Sequence, residues 1–154
     1  MTITLPKKFL YVGGDYKVAS ENETLILSPV KKGVLLYNGK GNLSGQVFTD
    51  KKGATIAVPD GCAYRIELSD NSVKITVSSE SQRAPFSRYE IFGNVASYAY
   101  TLYEYLKNSL RPVVAAEVTP APFDDKYYKV YLNEERNVYR NILIVAALAL
   151  LTEK

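Results

Sequence analysis

Ten consecutive apolar residues, Ile142 to Leu151 (ILIVAALALL), stand near the carboxy end of a 154-residue chain. A bilayer core of roughly 30 Å needs about 20 such residues, so the run is too short to span one. Helical spacing runs through Tyr128, Tyr131, Leu132, Glu135, Val138, Ile142, Val145 and Ala149, and the last turns are apolar on every side. Such an element has no face for water. It must be buried within its own fold or against another subunit. The preferred reading is one unbroken helix from Asp125 to Thr152; the alternative is a Tyr-rich strand followed by a helix capped at Asn133.

The other end of the chain has a different rhythm. From Phe9 to Ser79, short apolar runs alternate with turn residues every eight to twelve positions, the pattern of an antiparallel β-sandwich or jelly-roll-like unit. The strands expected are Phe9 to Val12, Tyr16 to Val18, Thr24 to Ser28, Gly33 to Tyr37, Gly41 to Phe48, Ala54 to Val58, Ala63 to Leu68 and Ser72 to Val77. Asn38-Gly39 predicts a type I′ hairpin turn, since both central residues need positive φ. The polar stretch Ser78 to Pro85 (SSESQRAP) reads as a linker.

After it come a short strand, Arg88 to Phe92, then Gly93 and a helix over Asn94 to Leu110. The stripe Val95, Ala99, Leu102, Leu106 and Leu110 supports that helix, with Asn94 as its cap. A buried strand, Val113 to Val118, follows. The expected class is α+β, with a β-sandwich unit over residues 1–80 and a helical or βαβα part over 88–154.

Composition excludes several chemistries. The chain has no histidine, which removes Ser-His-Asp triads, Cys-His dyads and imidazole metal sites. Its one cysteine, Cys62, can form no disulfide within the chain. Asp124-Asp125 and Glu134-Glu135 read as helix-start or surface acids rather than metal ligands. Metal and cofactor are both expected to be absent. An acid–base site would need Tyr64, Arg65 and Glu67 to line one deep pocket.

The charge of +3, from 19 Lys+Arg against 16 Asp+Glu, is modest, and the lysines come as scattered pairs. MTITLPKKFLYVGG lacks the profile of a secretory signal, so a cytoplasmic protein without a membrane span is expected.

Gly53, Pro59 and Gly61 fall in register with the second motif of the cupin barrels, with Tyr64 at its histidine position. The resemblance implies a shaped turn before a core strand, with Tyr64 packed or hydrogen-bonded there. A wider resemblance covers Leu25 to Val77, above all VLLYNGKGNLSGQVF (Val34 to Phe48), GATIAVPDGCAYRIEL and NSVKITV. These segments resemble the amino-terminal β-sandwich of the polynucleotide 5′-hydroxyl kinase family, which includes a subunit of the messenger-RNA cleavage and polyadenylation machinery. RYEIF, Gly93 and LRPVVAAEV resemble the start of that family's P-loop domain. Tyr98, Ala99 and Tyr100 occupy its glycine, lysine and hydroxyl positions, so the resemblance implies a catalytically silent relative.

The expected function is therefore non-catalytic: a binding or assembly module, homo-oligomeric or joined to another protein, with Tyr98, Tyr105, Ile142, Val145 and Leu148 as its interface. One alternative is RNA or single-stranded DNA binding through Tyr100, Tyr103, Lys107 and Arg111, where exposed rings stack bases beside cations. Another is a virion or filament subunit.

Overall fold

The computed structural model describes residues 1–9, 13–20, 22–59, 62–69, 72–79, 88–105 and 110–152; for 62, 69 and 72–79 it describes the backbone alone. Twelve strands precede one helix. They are β1 (Thr2–Pro6), β2 (Tyr16–Ala19), β3 (Thr24–Val30), β4 (Gly33–Tyr37), β5 (Leu43–Thr49) and β6 (Ala54–Ala57). Then come β7 (Cys62–Ser69), β8 (Ser72–Ser79), β9 (Arg88–Asn94), β10 (Ala99–Tyr105), β11 (Pro112–Pro120), β12 (Tyr127–Leu132) and α1 (Val138–Thr152).

The strands form two antiparallel sheets. One has the order β2-β3-β4-β5-β6-β7-β8, the other β1-β12-β11-β10-β9. Inside each sheet the chain meanders between neighbours, apart from β1, which closes onto β12 with Thr2 opposite Tyr131. A jelly roll interleaves its strands between sheets, and this order does not. The sheets adjoin at both edges: β8 lies along β9, and Tyr16 on β2 donates its hydroxyl to the Thr4 carbonyl on β1 at 2.7 Å. The result is a two-sheet shell, flattened like a sandwich and nearly closed.

The helix fills that shell. It touches β4, β5, β6 and β7 on one side and β12 on the other, and Arg140 to Ala149 are all buried. Its 15 residues rise about 22 Å, matching the roughly 23 Å of a seven-residue strand. An apolar rod thus meets an apolar lining along its whole length, each buried Leu or Ile contributing about 1.5–3 kcal/mol. Among the described residues no helix is long and apolar enough to cross a membrane.

Closest approach falls at Gly45 on β5. Its φ is +155°, a bulge shifts the β4–β5 register beside it, and a Cβ there would stand 2.3 Å from Leu143 Cδ1. Glycine removes the atom that would hold the helix off the sheet. Gly53, read above as part of a turn motif, is needed for a similar reason: a Cβ would lie 2.1 Å from the Ile66 carbonyl oxygen. Gly61 lies outside the described residues.

Several expectations need correction. The helix over 94–110 is instead β9, a turn at 95–98 and β10, while 106–109 lie outside the described residues. Tyr100, Leu102 and Glu104 alternate inward along β10, and the tyrosines and threonine of this segment favour strands. Asn94 does accept a capping-type bond, from Ser97 N–H at 3.1 Å, but it caps a turn. β11 is antiparallel to β10, so 88–132 forms no βαβα unit. The unbroken helix from Asp125 is likewise overturned: β12 occupies Tyr127–Leu132, and Asn137 rather than Asn133 caps α1, through Arg140 N–H at 3.1 Å. At 38–42 the hairpin loop is longer than two residues, and positive φ falls on Gly41 rather than on Asn38-Gly39. The expected strand Thr24 to Ser28 and its successors to Ser79 all appear, with ends shifted by one or two residues. Leu10 to Val12 lie outside the described residues.

Replacing Gly45 with alanine is expected to cost about 1–3 kcal/mol by overpacking. The cost should shrink once Leu143→Ala has cleared the space, a coupling that a urea-unfolding double-mutant cycle would read.

Candidate functional site

The alternation of β10 puts a carboxylate where apolar side chains otherwise point. Glu104 faces the helix at 0% exposure, and two arginines one helical turn apart answer it. Arg136, in the turn before α1, donates from Nε and Nη2 to the two carboxylate oxygens at 2.9 and 2.8 Å. Arg140, in the first turn of α1 and 5% exposed, donates from Nη2 at 2.8 Å. Its Nη1 donates to the Tyr64 hydroxyl at 3.0 Å, and its guanidinium lies 5.3 and 5.4 Å from the Tyr64 and Tyr89 ring centres. Tyr89 passes its own hydroxyl hydrogen to Asn141 Oδ1 at 3.0 Å.

Burial works against the charge on Arg140, yet Tyr89, Tyr64 and Glu104 more than offset it and hold its pKa above the ordinary arginine value. Desolvation raises the Tyr89 phenol strongly. The cluster retains two unmet donors, Arg140 Nε and Asn141 Nδ2. Cations therefore outnumber the anion in a closed space, and no charged group there opens to water except Arg136. Its geometry is that of a lock between helix and wall, joining β10 to the first turn of α1.

Two shallow clefts flank Tyr139 where the helix enters the shell. One, about 460 Å³, is bordered by Ser20, Asn22, Glu23 and Arg136; the other, about 280 Å³, by Asn38, Leu43, Val58 and Pro59. Tyr139 donates its hydroxyl to Glu23, and chiefly this hydrogen bond, with burial and the Glu23 charge, pushes the phenol up to about 12.

The predicted site residues scatter. Ile142, Val145 and Leu148 are buried inside the chain's own shell and offer no surface to a partner. Tyr98 is also buried, at 9% exposure, tilted against Tyr128. Tyr105 is half-buried on the outer face of β10, where it donates to Glu90 and lies under the Arg88 guanidinium. Tyr100 points inward and is buried, which removes it as a base-stacking ring. Tyr103 is on the outer face, edge-on to Phe92. Arg111 is exposed before β11, and Lys107 lies outside the described residues.

Tyr64 is fully buried and hydrogen-bonded. Arg65 and Glu67 alternate onto the opposite face of β7 and meet there at 3.6 Å, so the three share no pocket. Asp124-Asp125 and Glu134-Glu135 flank opposite ends of β12. Among the described residues no three acidic or cysteine side chains gather as metal ligands.

The helical stripe over 94–110 hides the Glu104 cluster, because on a helix Glu104 is a surface acid. Its signal was there: Arg136 and Arg140, four apart, immediately precede the longest apolar run.

Glu104→Gln should destabilise the fold by about 3–5 kcal/mol, because it strands Arg140 in the interior. Chemical unfolding at neutral pH would measure it. Tyrosines that stay protonated in the fold also set an alkaline limit. The unfolded chain loses phenolic protons near pH 10, while Tyr139 holds its proton to about 12. Stability present below pH ~10 should therefore fall as pH rises from about 10 to 12. Tyr139→Phe should flatten that slope by up to one proton, read from urea midpoints across the range.

Comparison of the chain with protein-family models, with characterised proteins and with solved structures returns no match, so its function is read from its geometry alone.

Proposed function

We propose that this protein is a non-catalytic assembly module that pairs with a second copy of itself through the outer face of its five-stranded sheet. The observation that carries the reading is the set of outward side chains on that face. Phe92 is 59% exposed and Tyr131 46%, with Tyr103, Tyr105 and Val114 half-buried between them. Tyrosine, phenylalanine and arginine are the residues enriched in protein interfaces.

Charges of both signs punctuate the patch. Glu90 stands opposite Tyr103, Glu117 opposite Tyr131, and Arg88 and Lys129 lie on the flanking strands. A two-fold axis brings each position of such a patch against another position of the same patch, so mixed signs can satisfy one another. The same acids disfavour a phosphate backbone beside Tyr103, which places self-pairing ahead of nucleic-acid binding here. The filled interior supports a non-catalytic role, since the clefts beside Tyr139 are shallow and Arg136 and Arg140 both donate to Glu104.

Sedimentation equilibrium tests the reading. The wild-type chain is expected to dimerise, and Phe92→Glu combined with Tyr131→Glu to raise the dissociation constant by about 30-fold or more, the size of one 2 kcal/mol hot spot. Both side chains face solvent, so the melting temperature of the monomer should hold. A wild-type chain that stays monomeric at its highest soluble concentration would sink the proposal. Salt-sensitive binding of single-stranded RNA, lost with Tyr103→Ala, would replace it with the nucleic-acid reading.

A further inference from the structure

Two of the three lysine pairs that look scattered in the sequence are gathered by the meander. Lys31-Lys32 turn β3 into β4, and Lys51-Lys52 lie in the turn from β5 to β6. Alternate turns of a meander fall at the same end of a sheet, so these four exposed lysines edge one end of the seven-stranded sheet. Lys40 is exposed in the loop at the other end, and Lys17 projects from β2 at the sheet's side.

Between them the outer face carries an apolar set interrupted by Ser28 and Gln46, which flank Leu35. Ile26, Val30, Leu35, Tyr37 and Phe48 share the side that faces away from the helix, as the pairings Ile26 with Tyr37 and Val30 with Gly33 with Phe48 require. Leu43, paired with Tyr37 across the bulge, stands at the margin where the face meets the cleft beside Tyr139. Val30, Leu43 and Phe48 are 39%, 47% and 43% exposed. The Phe48 ring lies over Gly33, 3.1 Å from where a Cβ would be, so the surface there is low and continuous.

We infer that this face docks on an anionic lipid bilayer. The charge around it is the first argument. Of the nearby carboxylates, Asp50 and Glu67 both face Arg65, at 2.6 and 3.6 Å, and Glu23 is taken up by Tyr139 and the Gly39 N–H; Asp15 accepts from the Ser28 hydroxyl. The six lysines outnumber these four carboxylates, and Arg65 adds a further cation, so the apolar strip has an excess of positive charge around it. Two copies placed face to face would repel, which sets this surface apart from the mixed-charge face of the other sheet.

The kind of residue separates the remaining anionic partners. Four of the six apolar side chains are aliphatic and give no ring for base stacking, so a single-stranded nucleic acid gains little. Protein interfaces are depleted in lysine, whereas lysine beside exposed apolar side chains suits a membrane surface: the stems follow the apolar layer and the ammonium groups reach lipid phosphates. This surface is distinct from the self-pairing face, and either proposal can fail alone.

Co-sedimentation with vesicles of phosphatidylcholine alone, and of three parts phosphatidylcholine to one part phosphatidylserine, tests it. The protein is expected to pellet with the phosphatidylserine vesicles only, and less as salt is raised. Lys31→Glu with Lys32→Glu, and separately Leu43→Ser with Phe48→Ser, should each lower the partition at least about tenfold. All four side chains are solvent-facing, and unchanged circular-dichroism melts would show the fold intact; Lys31→Gln with Lys32→Gln serves as a milder pair. Failure to pellet with either vesicle, or equal pelleting with both, overturns the inference. So does retention by single-stranded RNA or polyglutamate that the same substitutions abolish, without vesicle binding.

Discussion

A helix with no polar side can persist only where protein meets it on every face, and this constraint shapes the chain. One sheet could cover half of α1. Covering the rest requires a second sheet on the far side and edges that meet, and the two sheets supply both. The topology follows at low cost, because each strand within a sheet pairs with its sequence neighbour and β1 is held until β12 returns beside it. The shell cannot be completed before β12 is made, and without the helix its lining has nothing to pack on. Sheet closure and helix burial therefore depend on each other.

An apolar rod in an apolar sleeve would slide or rotate at little cost, since Leu, Ile and Ala contacts resemble one another at any register. The buried charges remove that freedom. Glu104 accepts from Arg136 before the helix and from Arg140 in its first turn, so both depth and rotation of α1 are set at its entry. Asn137 caps the same turn and Tyr139 ties it to Glu23. Buried ion pairs are a weak source of net stability, because desolvation consumes most of the Coulombic gain. Fixing a register is the role for which such groups are best attested, and the two unmet donors beside Glu104 fit a cluster kept for specificity.

What could be read from the chain beforehand follows the same physics. Strands β3 to β8 were legible because turn residues and two-residue alternation are local signals. The demand that Ile142 to Leu151 be buried on all sides was also legible. Its partner was not, because burial within the fold and burial against a subunit leave the same pattern. The hairpin of β9 and β10 is ambiguous in sequence, since Val95, Ala99 and Leu102 satisfy a helical stripe while Tyr100, Leu102 and Glu104 satisfy strand alternation, and strand pairing with β11 decides between them. The same ambiguity conceals the candidate site. On a helix Glu104 is one more surface acid; on an inward strand position it demands a buried cation, and Arg140 becomes its answer.

Filling the shell with its own helix also moves the question of function outward. Barrels of this size that keep an empty interior use it for ligands. Here the space is occupied from the Glu104 end to Leu151, and Tyr64, pointing inward from β7, meets Arg140 of the chain itself. Besides the clefts at Tyr139, the molecule offers two outer faces of opposite character. The five-stranded sheet presents aromatic rings with charges of both signs, which can complement a copy of themselves. The seven-stranded sheet presents aliphatic side chains framed by lysine, which cannot. If both proposals hold, the two unlike faces, on opposite sides of one core, would let the shell hold two different neighbours at once. Pairing through one face would leave the lysine-framed surfaces of both copies facing outward, so an anionic bilayer on one side and a second copy on the other would not compete for the same residues.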